Sequence, residues 1–364
     1  MRIGSKLALV SLLSLLALTG CTAPVLQPTA SPSATQEPEP EPVYIAAPLT
    51  GVLYEESIAG HLALPAVSAK IDNTFSGRPQ LALNDADVVY VTRVEGGMTR
   101  LLPVWHSRMP EAIGPVRSVR PVDAAIIHPY GGVFVYSGGQ SPFKRSAKDT
   151  GLVMSDEDTE QSNDTYYREK SRSAPWNLMF YAKKLQEMNS DRSAPTPGFE
   201  FDASPSALIL GTEVLKVTVK YPGSTSIWDF GEASFPWAAT SEPAWLRTAD
   251  KSEHLQEGGD RVVTKNVVVL ELEHDNSFID PRYGAIPKAK LENNTGIAHI
   301  FTDGHYLKAT WKKAGSSAPI LLFTEDGAPV KLAIGNTWVE MMDTARSKMT
   351  IVAPEPEPST SSDE

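Results

Sequence analysis

The sequence predicts an α/β (or α+β) N-terminal domain followed by a mostly-β C-terminal domain. In the N-terminal part, from residue 43 to 189, apolar runs typical of strands alternate with segments typical of short helices. In the C-terminal part, from 200 to 352, strand-like runs follow one another. Asp-Gly pairs at 303–304 and 326–327 separate alternating segments there, which is the pattern of β-hairpins.

Strands of the N-terminal domain are predicted from alternating and β-branched runs, and helices from capping residues. Pro103 would confine its strand to the edge or end of a sheet, because proline has no N–H. Ser141 is predicted to cap one helix with Pro142 in its first turn, and Asn177 can cap another. The segment 154–173 is predicted to be a surface loop. The predicted strands are 67–71, 87–92, 101–105 and 133–136, and the predicted helices are 122–128, 141–148 and 177–188.

The C-terminal strands are predicted at 215–221, 225–230, 261–273 and 338–341, besides the two hairpins. If Asp303-Gly304 is a two-residue turn, Thr302 pairs with His305 and His299 pairs with Lys308. The histidines of this hairpin then do not face each other, and the seven histidines of the chain show no ligand spacing. We therefore predict no metal site and no cofactor.

Five tryptophans of the C-terminal domain allow two interpretations. They could fill the core or edges of a β structure, or they could stack on sugars. The first is the more common use of tryptophan in such a domain. These residues are Trp228, Trp237, Trp245, Trp311 and Trp338.

The first twenty residues have the organisation of a bacterial lipoprotein signal peptide. Arg2 and Lys6 precede an apolar run from 7 to 18, and small residues lead to Cys21, the only cysteine. The run is shorter than the roughly 20 residues that a spanning helix needs. We expect cleavage before Cys21 and lipidation of its thiol with diacylglycerol, which anchors the chain at the extracytoplasmic face of the cell membrane. A lone buried cysteine is the alternative.

Composition divides the rest of the chain. Residues 21–42 are rich in proline and glutamate, which predicts an extended tether after the lipidated cysteine. A Pro/Ser/Asp-rich stretch predicts a linker at 190–199 between the domains 43–189 and 200–352. The acidic segment 353–364 is predicted to be disordered.

The charge balance argues against one class of partner. The chain has 33 basic and 44 acidic residues, for a net charge of −11. Such an acidic protein lacks the basic surface that attracts phosphate backbones, so nucleic acid is not an expected partner. Once Cys21 carries lipid, no thiol remains for a disulfide or a nucleophile.

Charged and polar residues are concentrated between positions 70 and 123. Arg117 and Arg120 follow a Gly-Pro turn, and the forked guanidinium group suits a carboxylate, phosphate or sulfate. In α/β sheets ligands bind at the carboxyl ends of strands, where several of these residues are predicted to lie. The candidate ligand-binding residues are Asp72, Asn73, Arg78, Glu95, Arg100, Arg117, Ser118 and Arg120.

Two carboxylates in this group are candidates for catalysis. Glu95 or Asp72 could act as a general base if burial removed it from water. The alternative is a structural network in which arginines 78, 100, 117 and 120 pair with the nearby acidic residues. No spacing here matches a specific catalytic motif.

Several short motifs together resemble the YerB-like lipoproteins of Gram-positive bacteria. They are Ile-Asp-Asn (71–73), Arg-Pro-Gln (78–80), Glu-Gly-Gly-Met-Thr-Arg (95–100), Gly-Pro-Val-Arg-Ser-Val-Arg-Pro (114–121) and Ala-Pro-Trp-Asn-Leu (174–178), with Asn-Val-Val-Val (266–269) and Thr-Trp (337–338) further on. The resemblance implies an envelope protein with paired N-terminal and C-terminal domains of unknown function. It supplies no catalytic residues. The family commonly has histidine where Trp176 stands, so we assign no catalytic role there.

These observations predict a lipid-anchored envelope protein that binds an anionic or polar envelope ligand through its arginine-rich site. Two alternatives remain. The protein could be a hydrolase or transferase acting on a cell-wall glycan, peptide or polymer phosphate, with Glu95 or Asp72 as base and the arginines stabilising developing charge. It could also be a scaffold for wall-synthesis proteins. Its expected partners are the membrane, through the lipid on Cys21, and a cell-wall ligand or a wall-synthesis protein.

Overall fold

The computed structural model describes residues 41–157 and 164–355. The predicted signal peptide, Cys21, most of the tether and residues 356–364 lie outside the described residues. From Pro42 onward the described chain forms one compact unit. Within it, no helix has the length and apolar character needed to cross a membrane.

Strands dominate the structure. They account for 41% of it and helices for 14%, so the framework is a set of sheets with short helices attached. The strands of the first half are Tyr44–Ala46 (β1), Leu53–Glu55 (β2), Val67–Ala69 (β3), Ile71–Asp72 (β4), Val88–Arg93 (β5), Thr99–Trp105 (β6), Ala112–Ile113 (β7), Val133–Tyr136 (β8), Val153–Asp156 (β9), Tyr166–Arg168 (β10) and Leu178–Tyr181 (β11).

Eighteen further strands follow in the second half. They are Glu200–Asp202 (β12), Thr212–Glu213 (β13), Lys216–Lys220 (β14), Thr225–Ala233 (β15), Glu242–Ala249 (β16), Ser252–Glu253 (β17), Val263–Thr264 (β18), Asn266–Leu272 (β19), His274–Asp275 (β20), Ile279–Asp280 (β21), Gly284–Ala285 (β22), Lys288–Ala289 (β23), Asn294–Thr302 (β24), His305–Lys313 (β25), Leu321–Phe323 (β26), Lys331–Ala333 (β27), Thr337–Asp343 (β28) and Lys348–Val352 (β29).

The helices are short because few runs keep a helical period for more than two turns. The α-helices are Asp123–Ile127 (α1), Ser141–Lys148 (α2), Ala182–Glu187 (α3) and Ser206–Leu210 (α4). Single turns of 3₁₀-helix include Phe75–Gly77, which is followed by Arg78, and Glu95–Gly97, which begins with Glu95.

The largest sheet has twelve strands and draws on both halves of the chain. Its main order is β13-β25-β24-β19-β28-β5-β6-β3-β8-β9, with β26 beside β25 and β4 beside β6. At its centre β28 runs parallel to β19 on one side and to β5 on the other. All six residues of β5 are buried, as expected for a strand covered on both faces.

A second sheet of six strands covers one face of the large one. Its order is β17-β16-β15-β14-β29, with β18 beside β16. Tryptophans of the two sheets meet in the core between them, where the ring centroids of Trp228 and Trp338 lie 5.1 Å apart. Trp245 and Trp311 are also buried and Trp237 is partly buried, so these residues serve packing rather than an exposed sugar platform. The opposite face of the large sheet packs against α1 and α2.

The structure confirms the strand-rich character of the second half and several elements of the first. The predicted helix at 141–148 is α2, although Gln140 rather than Ser141 is its N-cap residue, and the helix predicted at 122–128 corresponds to α1. The hairpin at Asp303-Gly304 has the predicted register, with Thr302 opposite His305 and His299 opposite Lys308. The predicted linker 190–199 lies between α3 and β12.

Two predictions for the N-terminal part were wrong because pairing overrode local signals. Asn177 does not start a helix, since the next four residues form β11 between β10 and β7 and only then does α3 begin. The segment 154–173 contains most of β9 and all of β10, where a loop was predicted. Residues 158–163 of that segment lie outside the described residues.

The prediction for Pro103 was also wrong, and the reason is visible in the sheet. Pro103 lies in β6, which is paired with β5 on one side and with β3 and β4 on the other. On the β3/β4 side the pairing with β6 stops at Ser68–Val104 and resumes at Ile71–Leu101. Pro103 therefore lies where this ladder is interrupted, and its missing N–H is tolerated there.

The second predicted hairpin is a tight turn whose strands separate. Gly327 N–H donates to the carbonyl of Thr324 at 3.0 Å, as in a turn. However, β26 pairs with β25, whereas β27 pairs in parallel with β12. The Asp-Gly pair predicts the turn correctly. The strands on either side of the turn pair with β25 and β12 instead of with each other.

Candidate functional site

The arginine-rich segment 114–121 is held in place by a buried ion pair. Lys70 Nζ donates to Asp123 Oδ1 at 2.6 Å and to Thr92 Oγ1 at 2.8 Å, and the side chains of Lys70 and Asp123 are fully buried. Burial lowers the pKa of Lys70 to about 8, despite the charge of Asp123. The other carboxylate oxygen of Asp123 accepts the N–H of Arg120 at 2.7 Å. The base of α1 therefore fixes the backbone that presents the arginines.

Glu95 is the centre of a second buried group, which we call the Glu95 cluster (Glu95, Arg100 and Arg120). Arg120 Nε donates to Glu95 Oε2 at 2.7 Å, and its terminal nitrogen donates to Oε1. Arg100 lies 3.4 Å from Oε1. Burial alone would raise the pKa of Glu95, but hydrogen bonding from Arg120 and the charges of both arginines outweigh it and lower the pKa.

The turn that carries Glu95 has a glycine requirement. Gly96 and Gly97 both have positive φ angles, of 67° and 75°. A Cβ on Gly97 would also lie 2.9 Å from the side chain of Pro222. The Gly-Gly pair thus allows the tight turn that brings Glu95 to Arg120. It also lets the backbone pass close to Pro222 in the second half of the chain.

Asp72, the other catalytic candidate, is tied to Arg117. Arg117 Nε donates to Asp72 Oδ2 at 2.5 Å, and the backbone N–H of Thr74 donates to Oδ1 at 2.6 Å. Burial would raise the pKa of Asp72, but Arg117 and Thr74 outweigh it and the pKa is lowered. Both candidate bases are therefore ion-paired carboxylates.

Hydrogen bonds to a backbone carbonyl and to a threonine tie Arg100, Ser118 and Asn73 into this arrangement. Arg100 donates to the carbonyl of Ser118 at 2.9 Å, and burial followed by the charge of Arg120 lowers the pKa of Arg100 to about 10. Asn73 donates its amide to Thr99 Oγ1 at 2.8 Å. Ser118 thus contributes a carbonyl to the cluster.

Arg78 lies at the edge of the group and lines a cavity of about 540 Å³. We call this space the Arg172 cavity. It is lined by Ser76, Arg78, Pro79, Ser171, Arg172, Ser173, Trp176 and Glu257. Three serines, two arginines and Glu257 make its lining mostly polar.

The two arginines of the cavity are held by carbonyl groups and by exposed carboxylates. Arg78 donates to the carbonyl of Asn73 at 2.8 Å and to Asp250 at 3.0 Å. Arg172 donates to the carbonyl of Pro79 and to Glu257 at 2.9 Å. The side chains of Asp250 and Glu257 are 41% and 58% exposed. The other oxygen of Asp250 also accepts the N–H of Thr225 at 2.9 Å, so Glu257 is the carboxylate more easily displaced into solvent.

Trp176 connects Arg117 to this cavity. The Arg117 guanidinium lies over the Trp176 ring, 5.6 Å from its centroid, and Arg117 also donates to the carbonyl of Pro175 at 3.2 Å. Stacking of this kind stabilises a cation against an aromatic face. Trp176 Nε1 and Arg78 Nε are buried and have no hydrogen-bond partner among the described residues. Trp176 and Arg78 line the cavity, but these two nitrogens lie beneath its surface.

The structure brings the eight predicted residues into one region but divides them into two environments. Glu95, Arg100 and Arg120 form a closed group, whereas Arg78 lines the open cavity and Arg117 lies behind its wall. Sequence reasoning missed Arg172 and Glu257 and assigned no role to Trp176. The signal that could have found Arg172 and Trp176 is their position beside the Ala-Pro-Trp-Asn-Leu motif.

Among the described residues, acidic and histidine side chains are not grouped as a metal centre requires. Within residues 41–157 and 164–355, no group of three or more His, Cys, Asp or Glu side chains is arranged to hold a metal ion. His299 instead forms two hydrogen bonds of 2.9 Å. Its Nε2 pairs with Glu271 Oε1, and its Nδ1 pairs with the hydroxyl of Tyr306. This histidine is part of a local hydrogen-bonded chain on neighbouring strands.

Two family matches cover most of the folded chain. Residues 49–195 match the N-terminal domain, and residues 223–339 the C-terminal domain, of a family described as protein of unknown function (DUF3048). The chain belongs to the DUF3048 family. The resemblance indicated by the sequence motifs is confirmed. In this family member, the Arg172 cavity is built from both matched segments, with Arg78, Arg172 and Trp176 in the first and Glu257 in the second.

A curated relative and a solved structure extend the comparison. The chain is 26% identical over 307 residues to a Bacillus subtilis (strain 168) protein named putative lipoprotein YerB, covering 81% of this chain and 86% of the relative. The crystal structure of YerB protein from Bacillus subtilis matches with a TM-score of 0.68 at 21% identity, covering 84% of this chain and 99% of that one. The second match shows that the two chains share a fold.

Proposed function

We propose that this DUF3048 protein is a lipid-anchored, extracytoplasmic envelope protein that binds an anionic envelope ligand in the Arg172 cavity. The observation that carries the proposal is a polar cavity with Arg78 and Arg172 on its walls and Trp176 beside them. Guanidinium groups bind carboxylates and phosphates through paired hydrogen bonds. Serine hydroxyls can add further hydrogen bonds to such a group.

The ion pairs of the cavity are of the kind that a ligand can replace. Arg172 pairs with Glu257, whose side chain is 58% exposed, and exposed pairs of this type contribute little to stability. An incoming anion can therefore take the place of the carboxylate at little cost to the fold.

Binding is favoured over catalysis by the state of the two candidate bases. A general base needs a free lone pair and a pKa near the working pH. Asp72 and Glu95 both accept hydrogen bonds from arginine, and both have lowered pKa values. They are better suited to holding Arg117 and Arg120 in position than to accepting a proton from a substrate.

The anchoring part of the proposal rests on the sequence and on the relative. Cys21 follows a signal-like segment, and the relative is named a putative lipoprotein. The tether 21–42 would hold the folded unit away from the bilayer and near the polymers of the wall. Labelling with a radioactive or clickable fatty acid tests this directly, because Cys21→Ser should abolish incorporation.

The binding proposal is tested with the compact unit, residues 42–364, in a thermal-shift screen. The panel contains phosphate, sulfate, muropeptides and teichoic-acid fragments. We expect at least one member to raise the Tm of the parent, and Arg172→Ala to reduce its affinity about tenfold or more, since a charge-assisted hydrogen bond is lost. Arg282→Ala, which removes an exposed arginine outside the cavity, should behave like the parent.

Two results would contradict the binding proposal. One is the absence of any shift across the panel, which would favour the scaffold function. The other is an equal shift in the parent and in Arg172→Ala, which would place the anion elsewhere. Circular dichroism of Arg172→Ala and the milder Arg172→Lys variant separates lost binding from lost folding.

A further inference from the structure

A second cavity adjoins the Arg172 cavity and has a different chemical character. It has a volume of about 390 Å³ and shares Arg78, Pro79 and Glu257 with its neighbour. Phe75, Pro79 and Leu255 supply its apolar wall. We call this second space the apolar groove. The two spaces are therefore adjacent, one lined by arginines and the other with a largely apolar lining, and we call the pair the cleft.

Phe75 is unusually accessible for a residue in a structured turn. It begins the 3₁₀-helix Phe75–Gly77, and its side chain is 81% exposed. Leu255, on the opposite side of the groove, is 40% exposed. Single exposed apolar residues are common, but two that face one cavity beside a charged site form a surface suited to an apolar group.

Both walls of the apolar groove are anchored to the same part of the fold. The N–H of Glu257 donates to the carbonyl of Gln80 at 2.8 Å, and the Gln256 side chain accepts the N–H of Asn84 at 3.0 Å. Arg78, at the junction of the two cavities, donates to Ala249 and Asp250 of the second half. These contacts hold the cationic and apolar ends at a fixed separation.

We infer that the ligand carries an apolar group, aliphatic or aromatic, next to its anion, and that this group lies in the groove between Phe75 and Leu255. This inference rests on the proposed function, because it assigns the anion to the Arg172 cavity. The apolar group loses water on both faces between Phe75 and Leu255 while the anion remains with the arginines. A purely polar anion would use only half of the cleft.

The test compares matched probes on the compact unit, residues 42–364. Phenyl phosphate is compared with inorganic phosphate, and phenylacetate with acetate, by NMR titration. We expect each phenyl probe to bind about tenfold more tightly than its polar partner. In Phe75→Ala this advantage should disappear, while the affinity for inorganic phosphate stays unchanged.

Control variants separate the two ends of the cleft. Ile279→Ala removes an exposed apolar side chain elsewhere, and we expect it to retain the preference for phenyl probes. Arg172→Ala should weaken both members of each pair. If the phosphate probes and the carboxylate probes both bind and differ only in affinity, the arginines recognise negative charge in general. If only the phosphates or only the carboxylates bind, the arginines recognise that class of anion.

Each possible failure has a different meaning. If inorganic phosphate binds and requires Arg172, but phenyl phosphate binds no more tightly, the inference is overturned and the proposed function stands. If phenyl phosphate binds through Phe75 but not through Arg172, the anion site is overturned and the apolar groove stands. If no probe binds, both are overturned.

Discussion

The Glu95 cluster and the Arg172 cavity both combine arginines with carboxylates, yet their surroundings differ. In the Glu95 cluster the carboxylate is nearly inaccessible, with 8% of its side chain exposed. In the Arg172 cavity the paired carboxylate, Glu257, is 58% exposed. The accessibility of the acidic partner decides whether an arginine group can exchange that partner for a ligand.

This comparison assigns different functions to neighbouring arginines. A buried pair must stay intact, because removing one partner leaves an uncompensated charge away from water. An exposed pair contributes little to stability and can be broken by a ligand. The Glu95 cluster therefore supports the fold near the site, whereas the Arg172 cavity is open to binding.

The largest expected effect is on stability. We expect Arg120→Ala to lower the free energy of unfolding by about 3–5 kcal/mol, since Glu95 is left buried without its main partner. Urea denaturation followed by tryptophan fluorescence measures this change. Arg172→Ala is the comparison variant and should cost less than Arg120→Ala, because Glu257 remains solvated when its partner is removed and only the carbonyls of Gly77 and Pro79 lose a donor.

Similar losses in Arg120→Ala and Arg172→Ala would remove the distinction between the two regions. A triple variant sharpens the test. Replacing all three charged groups of the cluster, Glu95→Leu with Arg100→Met and Arg120→Met, should recover part of the stability lost in Arg120→Ala, because no charge of the cluster is then left buried without its partner.

The second expected effect is on the pH dependence of stability. The pKa of Glu95 is lowered from 4.5 in the folded chain, so the ionised carboxylate stabilises the fold above about pH 4.5. This contribution is lost as the pH falls through the lowered pKa. Glu95→Gln cannot titrate, so we expect its Tm to fall less than that of the parent between about pH 6 and about pH 3.

Differential scanning fluorimetry at several pH values measures both Tm curves. Glu257→Gln is the control, because its carboxylate is exposed. Parallel curves for the parent and Glu95→Gln would mean that Glu95 contributes nothing through its charge.

A smaller effect concerns competition inside the Arg172 cavity. We expect Glu257→Gln to increase the affinity for a bound anion about twofold to fivefold, because the resident carboxylate no longer occupies Arg172. Titration with the best anion of the thermal-shift screen measures the change. A decrease in affinity would indicate that Glu257 holds Arg172 in place for the ligand.

The smallest expected effect is at Trp176. Its ring stacks with Arg117, and an exposed stacking contact of this kind is worth about 0.5–1 kcal/mol. Trp176→Ala should therefore weaken anion binding about twofold to fivefold, whereas Trp176→Phe should retain most of it. Isothermal titration of both variants provides the comparison, and equal affinities for the two would exclude a stacking contribution.

Local sequence signals predicted many individual elements. Ser141 and Pro142 predicted α2, and Asp303-Gly304 predicted both the hairpin and its register. These signals depend on interactions within a few residues, so the predicted helix and hairpin are both found in the fold. Pro103 and the segment after Asn177 were misjudged because their structure depends on strands that are distant in sequence.

The candidate site was predicted only in part, because some of its residues are neighbours in sequence and others are distant. The density of charge between 70 and 123 identified the region, and the Gly-Pro-Val-Arg-Ser-Val-Arg-Pro motif singled out Arg117 and Arg120. Arg172 lies outside that interval, and its partner Glu257 is 85 residues further along the chain. No spacing rule connects two such residues.

Residue patterns alone identify the lipoprotein-like start, the two family segments and the region where charged groups are concentrated. The packing of distant strands places β28 beside β5, which joins the two halves in one sheet, and it sets which carboxylates paired with arginine are exposed to solvent. The physical reason is that charge and propensity are properties of single residues, whereas burial and ion pairing depend on which distant segments meet. Asp250 reaches Arg78 across 172 residues of chain, and only folding sets that contact.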